Sequence, residues 1–221
     1  MRRIGSHVLV GIVVAIGLLL TVGEAEAGTL TREQALAALA NREDVTVRRQ
    51  GVDALGEVGL MADASLVAQA LRDPDAEVRA LAEQALWLIW SRSGDPEIDA
   101  LFLQGVEQLQ QHALPETIAT FTDVIKRKPE FAEGWNKRAT AYYIAGDFEK
   151  SLADCGEVMK RNPAHFGALS GYGLIYLQLG KPEEALSYFE RALAVNPNLA
   201  DIEHTVQAIK QVLEQQRKGS I

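Results

Sequence analysis

The residues best suited to chemistry in this chain are its histidines and its single cysteine, and their spacing argues against a shared site. His112, His165 and His204 lie far apart, without the i, i+4 spacing with which two histidines on one helix bind a metal. His7 belongs to the apolar N-terminal segment. Cys155 has no second cysteine with which to form a disulfide, a redox pair or a thiolate metal site. We therefore expect no bound metal and no cofactor.

The sequence motifs of common enzymes are also absent. The chain has no G-x-S-x-G, no P-loop and no dinucleotide-binding glycine pattern. Paired carboxylates such as Glu183 and Glu184 come at predicted helix starts, where they interact favourably with the helix dipole. The net charge of −8 argues against nucleic-acid binding, which requires a basic surface. The sequence therefore predicts a non-catalytic protein.

The first 27 residues have the composition of an export signal. Arg2 and Arg3 precede an apolar stretch over residues 8–22, and Ala25-Glu26-Ala27 follows it. A basic start, an apolar stretch and an A-x-A site are typical of a cleaved signal peptide, whereas a membrane-spanning helix needs about 20 apolar residues. We expect a signal peptide at 1–27 and a periplasmic or secreted bacterial protein. Anchoring to the inner membrane by residues 8–22 is the alternative.

A pattern that recurs every 34 residues predicts the fold of the C-terminal part. LGKPEEALSYFERALAVNP at 179–197 is preceded by AGDFEKSLADCGEVMKRNP at 145–163 and by QHALPETIATFTDVIKRKP at 111–129. Each segment has the spacing of an amphipathic helix, and a proline ends it because proline cannot continue a helix. A period of this length is typical of stacked helical hairpins.

Residues with special conformational roles keep the same spacing. Gly146 and Gly180 allow the left-handed backbone that ends the first helix of a pair, and His112 takes this place in the first pair. Small residues in the first helices let the two helices of a pair approach closely; they are Gly105, Ala139 and Gly173. Cys155 stands where the next repeat has Phe189, so we expect a buried and inert thiol.

This pattern resembles the tetratricopeptide repeat family. The third repeat carries the family's large, small and aromatic residues most fully, at Leu169, Tyr172, Gly173, Tyr176, Ala185, Phe189, Ala192 and Pro197. The resemblance covers residues 98–199 in three repeats, 98–131, 132–165 and 166–199. It implies an all-α, right-handed α-solenoid of helical hairpins. The amphipathic segment 200–218 suits the capping helix that such arrays need for solubility.

A different repeat precedes this array. DVTVRRQGVDALGEVG begins at Asp44, and DAEVRALAEQALWLIW begins 31 residues later at Asp75. This D-x-x-V-R-x-x-A-x-x-A-L pattern resembles short HEAT-type repeats, and both aspartates suit helix N-caps. Thr31 begins a capping box before another helix, and a further helix is expected from Asp63. We therefore expect HEAT-like helical repeats over residues 28–93.

The tetratricopeptide resemblance also implies where a partner would bind, since the first helices of the pairs line a concave groove in that family. The candidate groove residues are Phe102, Val106, Leu109, Asn136, Thr140, Tyr143, Ile144, Ser170, Leu174, Leu177 and Gln178. Chaperone-binding members grip a C-terminal carboxylate with Lys and Asn side chains. Val106 stands where one such Asn is needed, and only Asn136 and Lys137 offer similar groups, so we do not expect carboxylate-tail capture. An apolar groove with polar edges suits a helix or an extended peptide.

The sequence therefore predicts an exported scaffold for protein–protein interaction, whose partner is a protein or a peptide. Three alternatives stay open: an accessory subunit of an envelope enzyme, self-association as a homo-oligomer, and a groove that the chain itself fills. HEAT-type repeats also occur in lyases that handle chromophores. Arg48, Arg49 and Arg79 are the only candidates to line a polar pocket of that kind, and ion-pair or helix-capping roles explain them more simply.

Overall fold

The computed structural model of the chain describes residues 30–219, which form helices joined by short connections. They divide into two compact units, residues 30–92 and residues 93–219. The predicted signal peptide at 1–27 lies outside the described residues. Residues 30–219 contain no strand, so the all-α prediction is confirmed for this part of the chain. None of the helices described is both long enough and apolar enough to cross a membrane.

The first unit contains two helix pairs. The helices are α1 Arg32–Leu39, α2 Val45–Val58, α3 Ala64–Ala70 and α4 Ala76–Trp90, with a short 3-10 turn Met61–Asp63 before α3. α1 packs on α2, and α4 packs on both α2 and α3. The side chains that close this core have no exposed surface: Val52, Leu55, Val67, Leu71, Val78 and Leu86.

Side-chain caps begin these helices largely as the sequence predicts. The Thr31 hydroxyl accepts the backbone N–H of Gln34, and the Gln34 side chain accepts the Thr31 N–H, which completes the capping box. Asp44 and Asp75 each accept two backbone N–H groups in the first turns of α2 and α4. Asp63 makes no such bond to α3, although that helix begins directly after it.

The second unit contains seven helices. They are α5 Pro96–Gln110, α6 Leu114–Arg127, α7 Ala132–Ile144, α8 Phe148–Arg161, α9 Phe166–Gln178, α10 Pro182–Val195 and α11 Ala200–Gly219. Each helix packs on the next one along the chain, which gives the pairs α5–α6, α7–α8 and α9–α10. α7 also contacts both α5 and α9, so the first helices of the three pairs lie side by side.

The turns inside the pairs have the predicted left-handed backbone. Gly146 has a φ of 78° and Gly180 a φ of 69°. His112 takes the same place in the first pair with a φ of 58°, and it is the only non-glycine residue with positive φ among those the structure describes. The second helices end two residues before each predicted stop, Pro129, Pro163 and Pro197.

The close approach of paired helices depends on residues of small size. A Cβ on Gly105 would lie 2.7 Å from Cζ of Phe121, and a Cβ on Gly173 would lie 2.4 Å from Cε1 of Phe189. Both distances are far below ordinary contact. The two phenyl rings therefore occupy the space that a side chain on the facing glycine would need.

In the second pair, side chains of different size occupy the same two positions. Ala139 replaces the glycine, Cys155 replaces the phenylalanine, and the two share one buried cluster with Ile175. Ala139 is larger than the glycine of the other pairs, and Cys155 is smaller than their phenylalanine, so the two changes in size compensate each other. Burial raises the pKa of the Cys155 thiol to about 12, so the thiolate does not form near neutral pH. The structure agrees with an inert core cysteine.

The last helix closes the array. Four apolar residues of α11 are buried, at Ile202, Val206, Ile209 and Leu213. They join one cluster with Leu174 of α9 and with Ala185 and Phe189 of α10. The opposite side of α11 is polar and exposed, so the helix covers the apolar end of the last pair and presents a soluble face.

Candidate functional site

The predicted groove residues fall into a buried set and an open set. Six are buried in the core: Phe102, Val106, Leu109, Asn136, Ser170 and Leu174. Five keep part of their surface open: Thr140, Tyr143, Ile144, Leu177 and Gln178. The structure therefore corrects the prediction that all these positions form one open lining.

Packing between helices explains the buried set. Phe102 is 2% exposed, and its ring meets those of Phe121 and Phe131 edge to face, with centroids 5.7 and 5.4 Å away. Leu174 lies in the cluster that α11 completes. Residues of the first helices therefore pack into the core even at positions that the family pattern places on the groove side.

The open set lies on the C-terminal halves of two neighbouring helices. Thr140, Tyr143 and Ile144 come from α7, whereas Leu177 and Gln178 come from α9. The Gln178 amide donates a long hydrogen bond of 3.4 Å to the Tyr143 hydroxyl and so links the two helices. Burial raises the pKa of Tyr143, which keeps the phenol neutral and able to donate or accept a hydrogen bond.

Leu103 on α5 extends this surface and was missed in the sequence. It is 49% exposed, so about half of its surface is available for contact. It lies three residues before Val106, so helical spacing places both on the same side of α5. The same spacing is visible in the sequence, but the family pattern assigns the groove position on α5 to Phe102 instead. We call the five open residues together with Leu103 the inner surface.

A buried ionic cluster lies at the N-terminal end of α7. Glu133 has no exposed surface, and its carboxylate lies 3.6 Å from Nζ of Lys137. Nδ2 of Asn136 donates to both carboxylate oxygens, at 3.2 and 3.1 Å. His165, which is also fully buried, contacts the carboxylate through Nε2 at 2.6 Å. The carboxylate is thus surrounded by donors from its own helix and from the start of α9.

His165 connects this cluster to the next first helix. Its Nδ1 accepts the backbone N–H of Ala168 at 3.1 Å and caps α9. Because Nδ1 accepts, the hydrogen-bond network assigns the ring proton to Nε2, which donates to Glu133. One imidazole therefore fixes the N-terminal ends of α7 and α9 relative to each other.

The charge of Glu133 is maintained despite its burial. Burial by itself would raise the pKa of this carboxyl, but the Lys137 ammonium and the hydrogen bonds from His165 and Asn136 outweigh it and lower the pKa to about 2. The carboxylate and the Lys137 ammonium thus form a neutral pair inside the protein. Asn136 and Lys137 are close neighbours of Glu133 along the chain, whereas His165 is 32 residues away, so the contact between His165 and Glu133 was not predicted from the sequence.

The three arginines that would have lined a polar pocket in the first unit have partners within that unit. Arg48 binds the Asp73 carboxylate at 2.9 and 3.1 Å, and Arg49 binds that of Asp75 at 3.0 and 2.7 Å. Arg79 donates to the backbone carbonyl of Asp73 at 2.9 Å. These contacts hold the loop before α4, as the ion-pair and capping interpretation predicts.

Residues 30–219 hold no group of three or more His, Cys, Asp or Glu side chains arranged to bind a metal ion. The inner surface consists of apolar side chains, one phenol and one amide, beside the ion pair of Glu133 and Lys137.

Comparison of sequences gives one family and several relatives. Residues 168–199 match the family described as Tetratricopeptide repeat. A TPR repeat-containing protein of Rhizobium etli is 33% identical over 126 residues, which cover 57% of this chain and 61% of that protein. Hsp70-Hsp90 organizing protein 1 of Glycine max is 25% identical over 127 residues, 57% of this chain and 22% of that protein. The chain thus spans less than two thirds of either relative.

Solved structures with the same helical arrangement include two tetratricopeptide domains. The first TPR of Spaghetti (RPAP3) bound to the HSP90 peptide SRMEEVD is 26% identical, with a TM-score of 0.51 over 53% of this chain and 93% of that one. The Sgt2 TPR domain from Aspergillus fumigatus shares the fold at 21% identity, with a TM-score of 0.53 over 57% of this chain and 85% of that one. The HEAT-type resemblance of residues 28–93 stays a prediction. In its 34-residue period, its helix pairs and these relatives, the chain is similar to tetratricopeptide repeat proteins.

Proposed function

We propose that this chain is a non-catalytic interaction module that binds a peptide or a helix of another protein at the inner surface. One observation carries the proposal: neighbouring first helices leave apolar side chains half-exposed, although Tyr143 and Leu177 also pack against the cluster that α11 completes. Leu103, Ile144 and Leu177 supply apolar contact, and the Tyr143 hydroxyl and the Gln178 amide supply polar groups at the edge. The similar RPAP3 domain binds an HSP90 peptide, which supports the same class of partner for this chain.

The surface suits recognition by apolar anchors rather than by many hydrogen bonds. The Thr140 hydroxyl donates to the Asn136 carbonyl of its own helix at 3.0 Å, so the residue presents mainly its methyl group. An amphipathic helix or an extended segment with apolar side chains at regular spacing complements such a surface. Exposed apolar patches on soluble proteins commonly mark contact sites of this kind.

We also propose that the module acts after export, in the periplasm or outside the cell. The composition of residues 1–27 supports this proposal. The test is cell fractionation followed by N-terminal sequencing of the mature protein. Export with cleavage predicts a new N-terminus at Gly28, whereas retention of residues 8–22 with the membrane fraction would support an anchor instead.

A pull-down from envelope extract tests binding at the inner surface. The full chain serves as bait beside a variant with Leu103→Asn and Gln178→Ala, two exposed positions whose change adds no charge and leaves the core intact. Leu66→Asn is the matched control, because Leu66 is 48% exposed and lies in the first unit. We expect a partner that the wild type and the control retain and the double variant loses. Equal retention by all three baits would contradict binding at this surface.

A further inference from the structure

The three first helices contain no unpaired basic residue. α9 has no charged residue at all, and α5 has no Lys or Arg. α7 has two, and each faces a carboxylate: Lys137 faces Glu133, and Arg138 binds Asp154 at 2.8 Å through both Nε and Nη2. A carboxylate of a partner would therefore find no free cation on these helices.

Acidic residues recur at the place that Glu133 occupies. At intervals of 34 residues the chain has Asp99, Glu133, Gly167 and Asp201. Asp99 lies one helical turn before Leu103 on the same side of α5, and it accepts the Ser93 N–H at 2.7 Å. Asp201 is exposed in the first turn of α11. Neither aspartate forms an ion pair with a basic side chain among the described residues. The first and the last of these four positions therefore each carry a negative charge that no cation balances.

We infer that the partner is an apolar segment that carries Lys or Arg, and that Glu133 makes the inner surface reject acidic segments. This inference rests on the proposed function. Glu133 occupies the donors of Lys137, Asn136 and His165, and all three side chains are buried, so none of them is available to a partner carboxylate. A charged group that loses water without gaining a partner is strongly disfavoured. The HSP90 peptide SRMEEVD, with three acidic side chains and a terminal carboxylate, is the type of ligand that this surface excludes.

Two peptides that differ only in charge test the inference on the full chain. Both have about 18 residues with leucines at i, i+3, i+4 and i+7, and their outward positions are all Lys in one and all Glu in the other. Binding is measured by fluorescence anisotropy. We expect the Lys peptide to bind about tenfold more tightly than the Glu peptide, because two exposed ion pairs contribute about that much. SRMEEVD should show no binding.

Two controls separate specific recognition from general attraction between opposite charges. A Lys peptide with the same composition but shuffled leucines should bind much more weakly, because it has no apolar face. Raising the salt from about 0.05 M to about 0.5 M should reduce the preference for Lys over Glu, because salt screens exposed charges. Tight binding of the shuffled peptide would overturn the inference.

Variants assign the preference to particular residues. The double variant Asp99→Asn, Asp201→Asn changes only solvent-accessible carboxylates, and we expect it to bind the Lys and Glu peptides about equally. Glu133→Gln removes the negative charge that balances Lys137 and so makes the inner surface less negative, and we expect the variant to gain binding to SRMEEVD.

The outcomes distinguish this inference from the proposed function. Equal or tighter binding of the Glu peptide to the wild type would overturn the inference and leave peptide binding intact. Failure of every peptide to bind would overturn both. If Glu133→Gln does not fold, the wild type and the aspartate double variant still decide the question.

Discussion

Gly173 is the position where the structure predicts the sharpest effect of a single methyl group. A Cβ there would lie 2.4 Å from Cε1, 2.5 Å from Cδ1 and 2.7 Å from Cζ of Phe189. The Phe189 ring has no exposed surface and is enclosed by its cluster, so it has no free space into which to move. Forcing a methyl group into a packed core costs about 1–3 kcal/mol, and contacts as short as these correspond to the upper part of that range, about 2–3 kcal/mol. Alanine recovers about 1 kcal/mol of helix propensity over glycine. We expect Gly173→Ala to lower the free energy of unfolding by about 1–2 kcal/mol.

Gly171 provides a matched control on the same helix. A Cβ there would meet only Sγ of Cys155, at 3.6 Å, which is an ordinary van der Waals distance. Gly171→Ala should therefore raise stability by about 1 kcal/mol through helix propensity alone. The two variants carry the same substitution two residues apart, yet they should change stability in opposite directions.

Urea unfolding followed by far-UV circular dichroism measures both variants against the wild type. The expected separation of about 2–3 kcal/mol corresponds to a difference in Tm of roughly 5–10 °C for a chain of this size. Replacing Phe189 by Leu in the Gly173→Ala background should recover part of the loss, because it opens the space that the methyl group needs. If Gly173→Ala proved as stable as Gly171→Ala, the argument that ring and glycine are matched in size would be refuted.

Three further predictions follow from single residues. His112→Gly should raise stability by about 1 kcal/mol, because glycine adopts the left-handed backbone without steric cost; urea unfolding measures this, and no gain would contradict the strain. Cys155 should not react with a thiol reagent in the native protein near pH 8 but should react at once in urea, since burial raises its pKa to about 12. Glu133 has a folded pKa of about 2, below its ordinary value of 4.5, so its stabilising contribution is complete above about pH 4.5 and is lost as the pH falls toward 2. Glu133→Gln should reduce the slope of stability against pH in that window, and an unchanged slope would show that other carboxyls cause it.

The features that the sequence determined by itself are local ones. The 34-residue period, the turns at Gly146 and Gly180 and the cap at Thr31 follow from residues that are neighbours along the chain. A left-handed turn or a helix cap depends on the conformational preferences of a few adjacent residues, so its signal is present before any tertiary contact forms. The opposite changes in size at Ala139 and Cys155 are also visible in the sequence, because the 34-residue period aligns both residues with their counterparts in the other repeats.

The tertiary structure decided which of these residues face a partner. Phe102 and Leu103 are neighbours in the chain, but one is sealed by two phenyl rings and the other is half exposed. Glu133 and His165 belong to different helix pairs and meet only because α7 and α9 lie side by side. Burial and charge pairing depend on what the fold brings against a side chain from elsewhere in the chain. Sequence spacing therefore gave the repeat and its helices, whereas only packing determined which surface stayed open and which charge was neutralised.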